Sequence, residues 1–99
     1  MTNRSFAVFR DYGPGFVPGQ PLEVQPDWAE HARFMNDLEA EGLVRLAGPL
    51  GDTEDVLLVM PGGSAMEIER RLADDPWTAS GLLITRRVAP WTLRVGSLG

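Results

Sequence analysis

The sequence predicts an α+β fold, a four-stranded antiparallel sheet with two helices on one face. Three observations lead there. Alternating apolar stretches and amphipathic stretches follow one another in the order β-α-β-β-α-β. Turn residues of hairpin length separate the two middle strands. The chain of 99 residues, 43% of them hydrophobic, holds one core, so residues 1–99 are read as a single domain.

Ser5-Phe-Ala-Val-Phe-Arg10 alternates as a first strand, with Phe6 and Val8 on one face and Ala7 and Phe9 on the other. Residues 11–26 carry Pro14, Pro18, Pro21 and Pro26 with Gly13, Gly15 and Gly19, a density that forbids helix and regular sheet pairing. A loop this long in a chain this small is either a lid over a site or a tolerated surface excursion. Asp27 to Glu41 is the first helix: Asp27 follows Pro26 as an N-cap, Glu30 lies in the first turn, and Gly42 sits where a C′ glycine belongs. On its wheel Trp28, His31, Ala32, Phe34, Met35 and Leu38 share one arc, which points His31 toward the sheet.

Leu43-Val-Arg-Leu-Ala47 alternates as a second strand and ends at Gly48-Pro49. Gly51-Asp-Thr-Glu54 then turns the chain into Val56-Leu-Leu-Val-Met60, an antiparallel neighbour. Ser64-x-x-Glu67 is a capping box that opens a second helix running to about Ala73. Asp74-Asp-Pro-Trp77 ends it, since proline cannot continue the helical hydrogen bonding. Leu82 to Val88 is the last long strand. Pro90 marks an edge, a bulge or an end before Trp91–Val95 continues extended. The order is the split-βαβ, ferredoxin-like one. Because strand residues such as Phe9, Val56 and Leu57 are apolar on both faces, a two-fold homodimer with its sheets face to face is expected.

Composition narrows the chemistry. Fourteen acidic against 9 basic residues give a net charge of −5, which leaves no electrostatic footprint for nucleic acid and opposes binding to an anionic membrane surface. No uncharged apolar run approaches the roughly 18–20 residues of a spanning helix, and the N-terminus lacks the apolar stretch of a secretory signal. A cytoplasmic protein is expected. Without cysteine there is no thiol nucleophile, no redox pair and no thiolate metal site. All basic residues are Arg, so no lysine amine can form a Schiff base. His31 is the only imidazole, leaving it, the carboxylates, Tyr12 and a few hydroxyls as possible catalysts.

Three marks then coincide: a histidine on the inner face of the first helix, Ala47-Gly-Pro-Leu50 ending the second strand, and Asp75-Pro-Trp77 followed by Gly81 before the last strand. With the element order, they make the chain resemble the YciI-like (YCII-related) family of small dimeric α+β-barrel proteins, from about Phe6 to Trp91. The resemblance implies a ferredoxin-like protomer, a homodimer, and a pocket whose histidine and aspartate map onto His31 and Asp75. The family includes a dehydrochlorinase acting on a chlorinated hydroxyquinone. The loop over residues 11–26 is longer than in the simplest members, so no substrate preference carries over.

An imidazole near neutrality can take or give a proton, and an adjacent carboxylate would select its tautomer. The expected chemistry is therefore acid/base work of a lyase or isomerase type on a small cyclic or carbonyl-bearing ligand, with His31 as base or acid and Asp75 as its orienter. It needs no metal or other cofactor. Trp77 is a candidate pocket wall, Ser80 and Tyr12 candidate hydrogen-bond donors to a substrate oxygen, and Arg86 a candidate for a substrate carboxylate. The alternatives are a core histidine with Asp75 merely ending the second helix, and a binding or accessory module of the same fold. A cofactor-free oxygenase is a third, resting on fold analogy.

Overall fold

The computed structural model describes residues 4–98. Its elements are β1 (Arg4–Tyr12), a 3-10 turn (Leu22–Val24), α1 (Trp28–Ala40), β2 (Leu46–Pro49), β3 (Asp55–Gly62), α2 (Ala65–Leu72), α3 (Pro76–Ala79) and β4 (Leu83–Trp91). The strands form one sheet in the order β2-β3-β1-β4, every pair antiparallel. This is the ferredoxin-like arrangement that the order of elements predicts, with a third, one-turn helix added.

Period-two alternation decides which residues meet the helices. Phe6, Val8 and Arg10 of β1 and Leu58 and Met60 of β3 are buried, and the apolar ones pack with Leu38, Ile68, Leu72, Trp77 and Leu82. The alternate set, Ala7 and Phe9 with Leu57 across the ladder, forms the opposite face. Leu46 and Trp91 lie on that face by register and are exposed. In the β1–β4 ladder Phe9 pairs with Arg87 and Arg10 with Thr85, so the register shifts at Arg86. Such a bulge kinks a strand and re-aims its side chains. Pro90 pairs with Phe6 on an edge strand, where its missing N–H costs no central ladder bond.

Several boundaries differ from the sequence expectation. The second strand begins at Leu46 rather than Leu43, because the N–H groups of Leu43 and Val44 both turn back to the Leu38 carbonyl and close α1. Asp27 precedes α1 in a left-handed conformation (φ 61°) and makes no side-chain cap, although its carbonyl accepts from the His31 N–H at 3.0 Å. Gly42 follows the helix with φ 77°, as a C′ glycine should. Ser64 Oγ accepts from the Glu67 N–H at 3.1 Å, the expected cap of α2. Trp91 ends β4, so the extended run expected to Val95 is not part of the sheet.

The proline- and glycine-rich segment is ordered by specific bonds. Gly13 and Gly15 donate to the carbonyls of Leu82 and Gly81, so closely that a Cβ on Gly13 would run into the Gly81 oxygen. The buried Gln25 amide exchanges two hydrogen bonds with the Val17 backbone and donates a third to the Gln20 carbonyl. These bonds make the segment a fixed wall that places Leu22 and Glu23 beside α1.

Candidate active site

Asp75 is fully buried and is the N-cap of α3, accepting from the Trp77 N–H at 3.0 Å, with Pro76 at the first helical position. Its two oxygens serve two further partners. Arg10 Nη1 donates to Oδ2 at 2.8 Å, and His31 Nδ1 lies 2.9 Å from Oδ1 and 3.1 Å from Oδ2. Burial alone would push this carboxyl's pKa up. The hydrogen bonds from His31, Arg10 and the Trp77 backbone outweigh it and hold Asp75 below its ordinary value of 3.8. The group is therefore an anion at neutral pH.

That charge state fixes the imidazole. A carboxylate only accepts hydrogen bonds, so Nδ1 must carry the proton that points at Asp75. In the neutral ring the lone pair is then on Nε2. Nε2 takes no hydrogen bond among the described residues, and His31 lines the cleft described next. The ring is clamped flat by Trp77, 3.8 Å away between centroids and tilted by only 9°. Trp77 is itself held by its Nε1–H on the Pro26 carbonyl at 2.6 Å. An imidazole so fixed can act as base through Nε2 and, once protonated there, as acid.

A cleft of about 330 Å³ opens beside this cluster. Its walls are mostly apolar, with Leu22, Trp28, Met35, Leu58, Trp77 and Leu83 among them, and Arg10, His31 and Glu23 are its ionisable residues. Asp75 does not line it; the carboxylate sits behind the groups that do. Of the residues singled out in the sequence, the structure brings together His31, Asp75 and Trp77. Ser80 Oγ turns to the Trp77 carbonyl, and Arg86 pairs with Asp11 at 2.8 Å on the surface. Tyr12 stacks on Phe16 at a separate hollow under the loop. None of these three lines the cleft. Among the described residues no cluster of three or more His, Asp and Glu has metal-binding geometry.

Arg10 is the site residue that the sequence reading did not single out. The signal was present, because the alternation that buries Phe6 and Val8 continues onto Arg10 and puts a guanidinium on the core face of β1. It is 1% exposed. Its Nη2 donates to Thr78 Oγ1 and, at 3.4 Å, to the Leu83 carbonyl, while Thr78 Oγ1 donates to the Leu72 carbonyl.

No protein-family model matches the chain, and no curated protein matches it in sequence. Among solved structures it is similar to the 5-chloro-2-hydroxyhydroquinone dehydrochlorinase of Burkholderia phenoliruptrix, solved in complex with 2,5-dihydroxybenzoquinone. The TM-score is 0.65 at 24% identity, over 89% of this chain and 93% of that one. The likeness establishes a shared fold.

Proposed function

We propose that the protein is a cofactor-independent acid/base enzyme of lyase or isomerase type, acting on a small cyclic or carbonyl-bearing molecule held in the cleft. The observation that carries this reading is the oriented imidazole: Nδ1 on a buried carboxylate and Nε2 without a partner among the described residues, in a cleft with mostly apolar walls. His31 Nε2 takes a proton from the ligand and returns it to another atom of the ligand or to a leaving group. Asp75 holds the tautomer and stabilises the imidazolium, and Trp77 fixes the ring plane. A dehydrochlorinase that binds a quinone on the same fold supports this choice of chemistry. So does the resemblance to the YciI-like family, which runs from about Phe6 to Trp91 of a chain read as the single domain 1–99. A chain with no cysteine, and with no helix among its described residues long and apolar enough to cross a membrane, is in keeping with a cytoplasmic enzyme.

The test is turnover on a panel of chlorinated hydroxyquinols, hydroxyquinones and enolisable cyclic ketones. His31→Ala is expected to lower turnover by about 100-fold or more, the usual scale of one positioned proton carrier, while the circular dichroism spectrum stays native. Unchanged turnover in that variant would sink the proposal. A second reading, a binding module without chemistry, is favoured by one observation: Arg10 already neutralises Asp75, as a purely structural network would require. It predicts a ligand bound by the parent protein and by His31→Ala alike, with no product from either.

The working form is a homodimer. Exposed Leu46 and Trp91 flank Phe9 and Leu57 on the sheet face that carries no helix, and a second sheet would cover them. Light scattering at micromolar concentration is expected to give twice the chain mass, and a monomer would refute the pairing.

A further inference from the structure

The cleft does not end beside His31. A second hollow of about 360 Å³ adjoins it and shares Met35, Asn36 and Ala47 as lining residues, so the two make one elongated groove between α1 and β2. The helix sets its length. His31, Met35 and Glu39 succeed one another at i, i+4 spacing, and a rise of about 1.5 Å per residue puts Glu39 about 12 Å along the axis from His31. On the strand side Arg45 leads into β2, its backbone N–H held by the Val59 carbonyl at 2.8 Å. Glu39 and Arg45 both line the second hollow, and both are exposed. Among the described residues neither enters an ion pair, and the side-chain amide of Asn36 makes no hydrogen bond. An acid and a base thus stand in one hollow without meeting, with an amide that both donates and accepts beside them.

We propose that the outer hollow binds an α-amino-acid end of the ligand, its ammonium on Glu39 and its carboxylate on Arg45, while the reacting cyclic or carbonyl-bearing head lies at His31 Nε2. The proposal rests on the cleft being the ligand site, as proposed above, and adds the ligand class: a zwitterion whose charged end lies about 10–12 Å from its reacting atom, the span that the helical rise allows. Because Glu39 and Arg45 do not pair with each other, a group that carries both charges on one carbon gives each of them a partner at once. The guanidinium fork matches the two oxygens of a carboxylate. A ligand with only a negative end would face Glu39 unpaired, and one with only a positive end would face Arg45, so both are selected against. The apolar walls between, Met35 and Trp28 among them, suit the uncharged body of such a molecule.

A homologous series tests this: amino acids that carry a 4-oxocyclohexyl ring on a methylene linker of increasing length, each compared with the neutral ketone in which hydrogen replaces both charged groups. Quenching of tryptophan fluorescence, with Trp28 and Trp77 in the cleft, gives the affinities. The best amino acid is expected to bind about tenfold more tightly than its neutral ketone, since each of two exposed ion pairs contributes about threefold. The shortest member, unable to span the groove, is expected to show no such advantage, and high salt to diminish it in the others. Glu39→Gln and Arg45→Gln are each expected to cut the tenfold advantage to about threefold, and the double variant to abolish it, with native circular dichroism spectra throughout. Equal affinities of amino acid and neutral ketone in the parent protein, or an advantage that survives in the double variant, would overturn the inference and leave the cleft as a ligand site. Failure of every member of the series to bind would overturn it too, and turnover absent across the substrate panel as well would overturn both readings.

Discussion

Asp75→Ala is expected to be the most damaging single substitution in the chain, costing about 3–5 kcal/mol because it leaves the buried Arg10 guanidinium without a counter-charge. Loss of the α3 cap adds about 1 kcal/mol. Against a total stability of about 5–15 kcal/mol for a domain of this kind, the variant should be largely unfolded in mild urea. Asp75→Asn keeps an oxygen for the Trp77 N–H and retains the cap, so its loss should be smaller but still dominated by the unpaired Arg10. Urea melts of the three proteins check this order, and an alanine variant within 1 kcal/mol of the parent by that measure would show that Arg10 does not depend on Asp75.

The same pair gives a pH dependence of definite sign. Asp75 binds its proton more weakly in the folded chain than in the unfolded one, so its contribution to stability is complete above the ordinary carboxylate value of 3.8. It is lost as pH falls from there through the lowered folded value. The stability gap between the parent and Asp75→Asn should therefore narrow as acid is added through that window. A gap that widens on acidification would contradict the assignment of Asp75 as a stabilised anion.

Trp77→Ala is expected to rank next. The indole is fully buried in the core, and truncating such a ring costs about 3–5 kcal/mol in transfer and cavity terms. It also removes the surface on which His31 lies flat and the hydrogen bond that ties α3 to Pro26 at the start of α1. Trp77→Phe separates these roles, because it keeps most of the apolar volume and a ring under His31 but loses the Nε1–H. That exchange should cost about 1–3 kcal/mol for the freed Pro26 carbonyl and the lost volume. Equal melts for the two variants would mean that packing around Trp77 contributes little.

The sequence made the fold legible because each long element has one dominant period. Phe6 and Val8 alternate, Trp28, His31, Met35 and Leu38 recur at helical spacing, and Ser64-x-x-Glu67 announces a helix start. What was lost lies where local and tertiary preferences diverge. Asp74-Asp-Pro-Trp77 reads as a stop, yet Asp75 and Pro76 are also the N-cap and first residue of a new turn, which only the burial of Trp77 makes stable. Asp27 looks like a cap by type but takes a left-handed backbone that turns the loop into α1.

The site was legible in part. The wheel put His31 on the inner arc, but nothing periodic joins it to Asp75, 44 positions away; that pairing came from the family resemblance. Arg10 was written in the alternation of β1 and was overlooked because an arginine at the end of a strand is ordinarily a solvated residue. The Gln25 clasp over Val17 and Gln20 has no local signature, since it depends on an irregular backbone returning to itself.

The central claim is that Asp75 holds His31 with its proton on Nδ1 and its lone pair on Nε2. Nitrogen NMR of the single histidine, recorded at a pH where the ring is neutral, reads this directly from the two ring-nitrogen shifts. The account predicts a protonated Nδ1 and a pyridine-like Nε2 in the parent protein, with that preference lost in Asp75→Asn. A parent spectrum showing the proton on Nε2 would contradict it, because the ring would then have no base to offer the cleft.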